Sequence, residues 1–327
     1  MFRRLLIATG VLVPIVVGAF AAVIAFNAPA APPVLAAGNS VPGIAQWNFA
    51  ELPKLQTLKA RDGAPLNYRA YPARPDRAVV LVHGSSATDA SMLKLAQALQ
   101  AAGASVYAID LRGHGGSGTA NGDVSYLGQL DDDLADLVKE LGLDKPSVHR
   151  TLMGFSSGGG FALRIAGGRQ AALFNDYLAI SPYIGQDSPT NKPNSGGWAG
   201  VAVPRVIALS LLSSIGLGWF QDLPAVHFAT DAKPSDRRTP VYSFRLAASL
   251  QLERDWRGVL ARITAPTEIV VGANDELFNA DQFKPMLQTV NPRIGVTIVP
   301  NETHLGMIAD PPATAAIAAA WRKLAGD

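Results

Sequence analysis

A serine flanked by glycines lies near the middle of the chain, in the segment GFSSGGG at residues 154–160. Ser156 is the central residue of a G-x-S-x-G pattern, with an apolar segment before it and another after it. Small residues at these positions let the backbone turn sharply from a strand into a helix, and such a turn exposes the serine hydroxyl. The same glycines would also suit a flexible linker, but the strand-and-helix context favours the turn. A serine in this turn can act as a nucleophile if a base reaches it.

A histidine near the C-terminus is the best-placed base. His304, in the segment VPNETHLGM, follows the last strand that the sequence predicts. The other four histidines lie either before Ser156 or in an irregular region after it. Because the carboxyl ends of parallel strands meet at one edge of a sheet, His304 is expected close to Ser156. A lone histidine is otherwise most often a structural residue, so the argument for His304 depends on its position.

The acid that would orient this histidine is predicted to be Asp275. It ends the strand EIVVGAND, which directly precedes the strand that leads to His304. Its carboxylate would hold one imidazole nitrogen while the other nitrogen faces Ser156. An aspartate at this place is also a frequent helix N-cap, and Glu276 and Asp281 are alternative acids. The chain order of serine, acid and histidine differs from the order in other serine hydrolase folds.

These residues need a parallel sheet to bring them together, and the pattern of the chain predicts one. Short apolar runs alternate with helical patterns, which is typical of strands joined by crossover helices. An Asp62-Gly63 turn predicts an antiparallel hairpin at the sheet edge. The alternation lapses between about residues 183 and 250, which predicts an insertion above the sheet. We therefore predict three parts: an N-terminal segment at residues 1–26, an Ala/Pro-rich linker at 27–54, and an α/β domain at 55–327.

Composition excludes several classes of function. The net charge is +2 and only 17% of the residues are charged, so nothing indicates nucleic-acid binding. The chain contains no cysteine, which excludes thiolate catalysis, disulfides and cysteine-ligated metals. A G-x-G-x-x-G match at residues 113–118 is not followed by a helical pattern, so it does not predict a dinucleotide site. We expect no metal and no organic cofactor.

The N-terminus carries an uncharged run of 22 residues, LLIATGVLVPIVVGAFAAVIAF, at residues 5–26. As a helix this run would extend ~33 Å, about the thickness of the hydrocarbon core of a bilayer. Because Arg3 and Arg4 precede it, the positive-inside rule places the remaining chain outside the cytoplasm. The run therefore predicts a single-pass inner-membrane anchor. A cleaved signal peptide ending at Ala28-x-Ala30, and hence a secreted or periplasmic protein, is the alternative.

The chain resembles the α/β-hydrolase superfamily, in particular its lysophospholipase-like and monoacylglycerol-lipase-like branch, which is grouped with the serine aminopeptidase domain. The resemblance covers roughly residues 55–324 and rests on LVHGSSA, AIDLRGHGGSG, GFSSGG, VVGANDELF and THLGM. It implies an α/β-hydrolase fold with a mostly parallel sheet, helices on both faces and an inserted lid. It also implies that the backbone N–H groups of Ser85 and Ser157 form an oxyanion hole for an acyl-enzyme reaction.

The substrate is indicated by an apolar segment within the insertion. Residues 198–220 carry Arg205 as their only charge, and a second membrane span, a buried helix and a lid over acyl chains are all open interpretations. We favour the lid, with Trp198, Leu211 and Leu212 as substrate contacts. Together with a membrane anchor, this favours a lipid-like ester as substrate. A peptidase, a thioesterase and a non-catalytic binding protein of the same fold are the alternatives.

Overall fold

The computed structural model of the chain describes residues 18–33, 49–193, 197–230 and 237–326. Part of the predicted N-terminal anchor and much of the predicted linker therefore lie outside the described residues. The strands, in chain order, are β1 Gln56–Lys59, β2 Pro65–Tyr71, β3 Arg74–Val82, β4 Ala104–Ile109, β5 His149–Phe155, β6 Asp176–Ile180, β7 Ala199–Val201, β8 Pro224–Phe228, β9 Val241–Ser243, β10 Thr267–Gly272 and β11 Gly295–Val299.

Eight of these strands form one sheet in the order β1-β2-β4-β3-β5-β6-β10-β11. Strand β2 pairs antiparallel with both of its neighbours, and all other pairs are parallel. The predicted hairpin forms the β1 edge, where Gly63 takes a φ of 80° in the turn. The parallel strands end at one edge of the sheet, so the loops that follow β3, β5, β10 and β11 lie together there.

Helices cover both faces of this sheet. The helices of the described residues, in chain order, are α1 at residues 18–26, α2 Leu93–Ala101, α3 Gln129–Glu140, α4 Ser157–Ala166, α5 Val203–Ser214, α6 Phe244–Leu250, α7 Trp256–Arg262, α8 Ala280–Val290, α9 Gly306–Ala309 and α10 Pro311–Ala325. Side chains alternate along a strand, so Val79 and Leu81 enter the core under α2 and α10, whereas Val80 and Val82 enter the core on the opposite face. A strand buried on both faces must be apolar throughout, which explains the run AVVLV. The predicted mostly parallel sheet with helices on both faces is confirmed.

The insertion has regular structure that the sequence does not predict. We call residues 183–250 the insert. Within it, β7, β8 and β9 form a separate three-stranded antiparallel sheet, and α5 and α6 flank its strands. Each of these strands has only three to five residues, which is too short to produce a recognisable alternation in the sequence.

Among the residues that the structure describes, no helix is both long enough and apolar enough to cross a membrane. Helix α5 has only 12 residues, so the interpretation of residues 198–220 as a second span is wrong. Of the predicted anchor at residues 5–26, the structure describes the last nine residues as α1, and residues 5–17 lie outside the described ranges.

Candidate active site

Ser156 lies in the sharp turn between β5 and α4. Its backbone has φ 56° and ψ −116°, a conformation that a residue with a side chain rarely adopts. Backbone hydrogen bonds hold it there, because its N–H donates to the Ile180 carbonyl at 2.8 Å and its carbonyl accepts from the Gly160 N–H at 3.0 Å. The neighbouring strand and the following helix therefore stabilise the strained turn together.

The glycines around Ser156 are required by close backbone contacts. A Cβ atom added to Gly154 would lie 2.0 Å from the carbonyl oxygen of Gly158. A Cβ atom added to Gly158 would lie 2.4 Å from the carbonyl oxygen of His83, which directly follows the adjacent strand β3. Neither distance is compatible with a side chain, since van der Waals contact needs well over 3 Å. The G-x-S-x-G pattern thus reflects the packing of α4 against the sheet.

The structure brings His304 and Asp275 into line with Ser156. The Ser156 hydroxyl oxygen lies 3.1 Å from Nε2 of His304, and Nδ1 of His304 lies 2.8 Å from Oδ2 of Asp275. All three residues are at least nine-tenths buried. The rings of Phe155 and Phe278 pack against the imidazole, with centroid distances of 4.7 and 5.2 Å. These contacts fix the ring between the hydroxyl and the carboxylate.

Both oxygens of the Asp275 carboxylate are engaged. While Oδ2 faces His304, Oδ1 accepts from the backbone N–H groups of Leu277 and Phe278, each at 2.9 Å. Burial by itself would raise the pKa of this carboxyl, but the His304 ring and the hydrogen bonds outweigh burial and lower the pKa below its usual value. Asp275 is therefore an ionised acceptor beside the imidazole.

The alternative acids do not contact the imidazole. Glu276 instead accepts from the backbone N–H of His304, with Oε2 at 2.8 Å. It holds the main chain of the histidine loop, a role that its position next to Asp275 does not reveal in the sequence. Asp281 lies in the first turn of α8. The expected helix N-cap role also falls elsewhere, because α8 begins after Asn279.

Two backbone N–H groups next to Ser156 lack an acceptor within the described part of the chain. They belong to Ser85, in the loop after β3, and to Ser157, the first residue of α4. The first residues of a helix have N–H groups without intrahelical partners, so that of Ser157 is open to a ligand. The loop that carries Ser85 lies close to Ser156, since a Cβ atom added to Gly84 would lie 3.3 Å from Cβ of Ser156.

The three insert residues predicted to contact substrate differ in their surroundings. The ring of Trp198 is half-buried and packs on Phe228, with a centroid distance of 5.7 Å. Leu212 is also half-buried and packs against the larger core of the domain. Leu211 lies on the outer face of α5, with 55% of its surface exposed. The two neighbouring leucines therefore point in different directions.

A protein-family model described as "Serine aminopeptidase, S33" matches residues 73–306, a stretch that contains Ser156, Asp275 and His304. The chain is also similar to a monoacylglycerol lipase of Mycolicibacterium smegmatis, with 38% identity over 110 residues. That match covers 34% of this chain and 39% of the relative, so the similar region spans about two fifths of the relative's length.

Solved structures share the fold over most of their length. A soluble variant of monoglyceride lipase from Saccharomyces cerevisiae, in complex with a substrate analogue, superposes with a TM-score of 0.65 at 17% identity, covering 84% of this chain and 95% of the other. A monoacylglycerol lipase from Paleococcus ferrophilus gives a TM-score of 0.58 at 21% identity, covering 80% and 98%. At these identities the likeness concerns the fold. Because the family model spans more than two thirds of its residues, the chain belongs to the serine aminopeptidase family and has an α/β-hydrolase fold.

Proposed function

We propose that the chain is a serine hydrolase that cleaves carboxylic esters, with Ser156 as nucleophile, His304 as base and Asp275 as orienting acid. The observation that carries this proposal is the continuous contact from the Ser156 hydroxyl through the imidazole to the Asp275 carboxylate, at 3.1 and 2.8 Å. Serine becomes nucleophilic when a neighbouring base takes its proton, and the base must present an unprotonated nitrogen. Asp275 favours the tautomer that carries its proton on Nδ1, because its carboxylate accepts a hydrogen bond from that N–H.

The proposed reaction has two acyl-transfer steps. The Ser156 oxygen attacks the ester carbonyl carbon while Nε2 of His304 takes the hydroxyl proton, and this proton then passes to the leaving alcohol. Water attacks the resulting acyl-enzyme by the same route, which releases the carboxylic acid and restores the serine. The N–H groups of Ser85 and Ser157 would stabilise the oxyanion of each tetrahedral intermediate, and one such donor contributes roughly 3–4 kcal/mol. No step requires a cofactor.

An apolar acyl group is the proposed substrate feature. The relative from Mycolicibacterium smegmatis is named a monoacylglycerol lipase, and the insert supplies apolar side chains that face the interior of this chain. Because Leu211 faces outward, we assign the acyl contact to Trp198 and Leu212, with the insert acting as a lid.

A series of p-nitrophenyl esters of increasing acyl length tests this function. Each methylene that enters an apolar pocket adds up to ~0.8 kcal/mol of binding, or nearly fourfold in kcat/KM, until the pocket is full. The Leu212→Asn variant should flatten this dependence and spare acetyl ester hydrolysis. The Leu211→Asn variant, which makes the same substitution on the exposed face, should retain the wild-type dependence. An equal fall on all esters in both variants would contradict the proposed acyl site.

Peptide hydrolysis is the second candidate, because the matching family is described as a serine aminopeptidase. An aminoacyl anilide assayed beside the esters decides between them. We expect ester turnover to exceed anilide turnover, and the reverse order would make the chain a peptidase. Turnover of no ester, thioester or anilide would support the non-catalytic alternative.

We also propose that the apolar run at residues 5–26 attaches the chain to the inner membrane, with the hydrolase domain on the extracytoplasmic side. Support comes from the uncharged, apolar residues of the run and from Arg3 and Arg4 at one end of it. Signal cleavage after the run, which would release the domain, is the alternative. Flotation of the full chain with lipid vesicles measures this attachment, and we expect the chain to float with them.

A further inference from the structure

A buried arginine joins the insert to the N-terminal helix. The Arg205 guanidinium donates from Nε to the Ile24 carbonyl at 2.8 Å and from Nη2 to the Ala25 carbonyl at 3.1 Å, at the end of α1. Its Nη1 donates to the Pro224 carbonyl at the start of β8, at 2.7 Å. Carbonyl oxygens at a helix C-terminus carry partial negative charge, so a cation is stabilised there. Helix α1 and the insert therefore form one packed unit, with Ile24 buried between them.

The outer surface of this unit is apolar. A row of side chains follows one face of α5 and the loop after it at intervals of four residues, which places those in the helix on the same side. We call it the apolar row, and each of its five members is more than half exposed: Val203, Ile207, Leu211, Ile215 and Trp219. Arg205, the only charge in residues 198–220, is turned away from this row to α1.

We propose that the apolar row lies on the surface of a lipid bilayer, held there by the N-terminal run. The last nine residues of the run form α1, and the other 13 uncharged residues of the run precede residue 18. Because Arg205 fastens α1 to the insert, a membrane-bound run would bring the apolar row to the same bilayer. Exposed Phe26, at the end of α1, adds to this surface. The proposal extends the membrane attachment proposed above and is independent of the chemistry at Ser156.

A bilayer fits this surface better than a second protein chain does. Protein interfaces commonly have a polar rim that orients the partner. Here the polar neighbours along α5 are serines, and the Ser214 hydroxyl already donates to the Leu211 carbonyl at 2.8 Å. A surface without charge and with bulky side chains can enter the interfacial region of a bilayer, where the free energy gained grows with the apolar area buried.

The absence of cysteine from the chain allows a direct test by site-specific labelling. A Leu211→Cys variant of the full chain carries an NBD fluorophore and is mixed with vesicles of phosphatidylethanolamine and phosphatidylglycerol. We expect the chain to float with the vesicles and the NBD emission to shift to shorter wavelength. An Ile298→Cys variant, labelled at an exposed position on β11, is the matched control and should float without an emission shift. Ile207→Cys provides a second label in the apolar row.

Three outcomes would overturn the proposal. Flotation of the chain with labels at positions 207 and 211 that give the same emission as in buffer would show that the row does not touch lipid. An emission shift without vesicles that grows with protein concentration would show a second copy on this surface. Failure of the full chain to float would contradict the membrane attachment as well. None of these readouts uses ester turnover, so a wrong assignment of the reaction would not produce them.

A second, independent observation concerns a tyrosine of the insert. The backbone N–H of Ser86 donates to the hydroxyl oxygen of Tyr242 at 2.7 Å, and this hydroxyl lies 2.6 Å from Nε2 of His114. Ser86 has a φ of 63°, in the left-handed region, and its carbonyl accepts from the Thr239 N–H at 3.1 Å. Residues of the insert thus bind both backbone groups of Ser86, next to Ser85.

The hydrogen bonds define the direction of this network. Nδ1 of His114 lies 3.3 Å from the Arg112 carbonyl, so it carries the proton and leaves Nε2 as an acceptor. The Tyr242 hydroxyl can then donate to Nε2 while it accepts from Ser86. Burial, together with the nearby His83 ring, lowers the pKa of His114 well below its usual value, so the imidazole stays neutral.

We propose that Tyr242 is a positioning residue that fixes the Ser85 N–H toward the oxyanion, an assignment that rests on the proposed ester hydrolysis. A Tyr242→Phe substitution leaves the Ser86 N–H and Nε2 of His114 without partners, and the strained Ser86 turn loses one of its two supports. We expect kcat to fall about tenfold or more with KM nearly unchanged, because an oxyanion donor acts mainly in the transition state.

Tyr177→Phe is the matched control, since it removes another buried tyrosine hydroxyl, which donates to the Ala171 carbonyl at 2.9 Å. Tyr177 lies near the start of β6, away from the edge that carries Ser156. The Tyr177→Phe substitution should lower the melting temperature and leave kcat unchanged. Equal effects of the two variants on kcat would show that Tyr242 has only a structural role.

If Tyr242→Phe does not fold, two variants of its partner His114 test the proposal instead. His114→Gln should retain kcat and His114→Leu should lower it. Equal kcat in these two would overturn the proposal.

Discussion

The Asp275→Asn variant is expected to turn over ester about 10⁴-fold more slowly than the wild type, with KM changed by less than about threefold. The reason lies in the hydrogen bonds of the carboxylate. Because the N–H groups of Leu277 and Phe278 both donate to Oδ1, the amide oxygen of asparagine would take that place. The amide NH₂ would then face Nδ1 of His304, which forces the imidazole proton onto Nε2. That tautomer cannot accept the proton of Ser156.

Glu276→Gln is the control for this variant. The glutamine oxygen can still accept from the backbone N–H of His304, so turnover should stay within about threefold of wild type. The kinetics of both variants are measured on one ester over a range of concentrations that brackets KM, with circular dichroism to verify the fold. If Asp275→Asn retains more than about a tenth of wild-type turnover, Asp275 is not the orienting acid.

The Ser156→Ala variant should lose turnover by about 10⁶-fold, to the level given by binding and oxyanion stabilisation alone. Its stability should change little, because the backbone of Ser156 makes the hydrogen bonds that hold the turn and alanine keeps that backbone. Alanine at φ 56° is as strained as serine, so the substitution neither relieves nor adds strain.

Ser157→Ala supplies the comparison. It removes the neighbouring hydroxyl and retains the backbone N–H that is proposed to bind the oxyanion, so turnover should remain close to wild type. Loss of turnover in this variant together with activity in Ser156→Ala would move the nucleophile to Ser157. Thermal melts of both variants separate a loss of chemistry from a loss of fold.

Much of the sheet can be predicted from the sequence because its strands are buried on both faces and therefore read as continuous apolar runs. The placement of His304 and Asp275 follows from the same logic. Parallel strands end at one edge, so residues just after β10 and β11 must lie near the turn after β5. Topology converts their positions in the chain into proximity in space.

The contacts made by the insert could not be predicted in this way. Tyr242 and Arg205 both bind backbone atoms of distant segments, and a backbone partner leaves no pattern of residue types in the sequence. The small sheet of the insert is too short to show a period. Exposure of Leu211 beside half-buried Leu212 depends on how α5 is rotated, which the almost uniformly apolar segment around it does not specify.

The most direct measurement of the central claim is the mass of the intact chain after reaction with a fluorophosphonate probe. Such probes phosphonylate a serine that is activated by a neighbouring base. We expect one adduct per chain and peptide mapping that places it on Ser156, with no adduct in Ser156→Ala and a normal adduct in Ser157→Ala. An adduct of the same yield in Ser156→Ala, or no adduct in the folded wild-type chain, would contradict the assignment of Ser156 as the activated nucleophile.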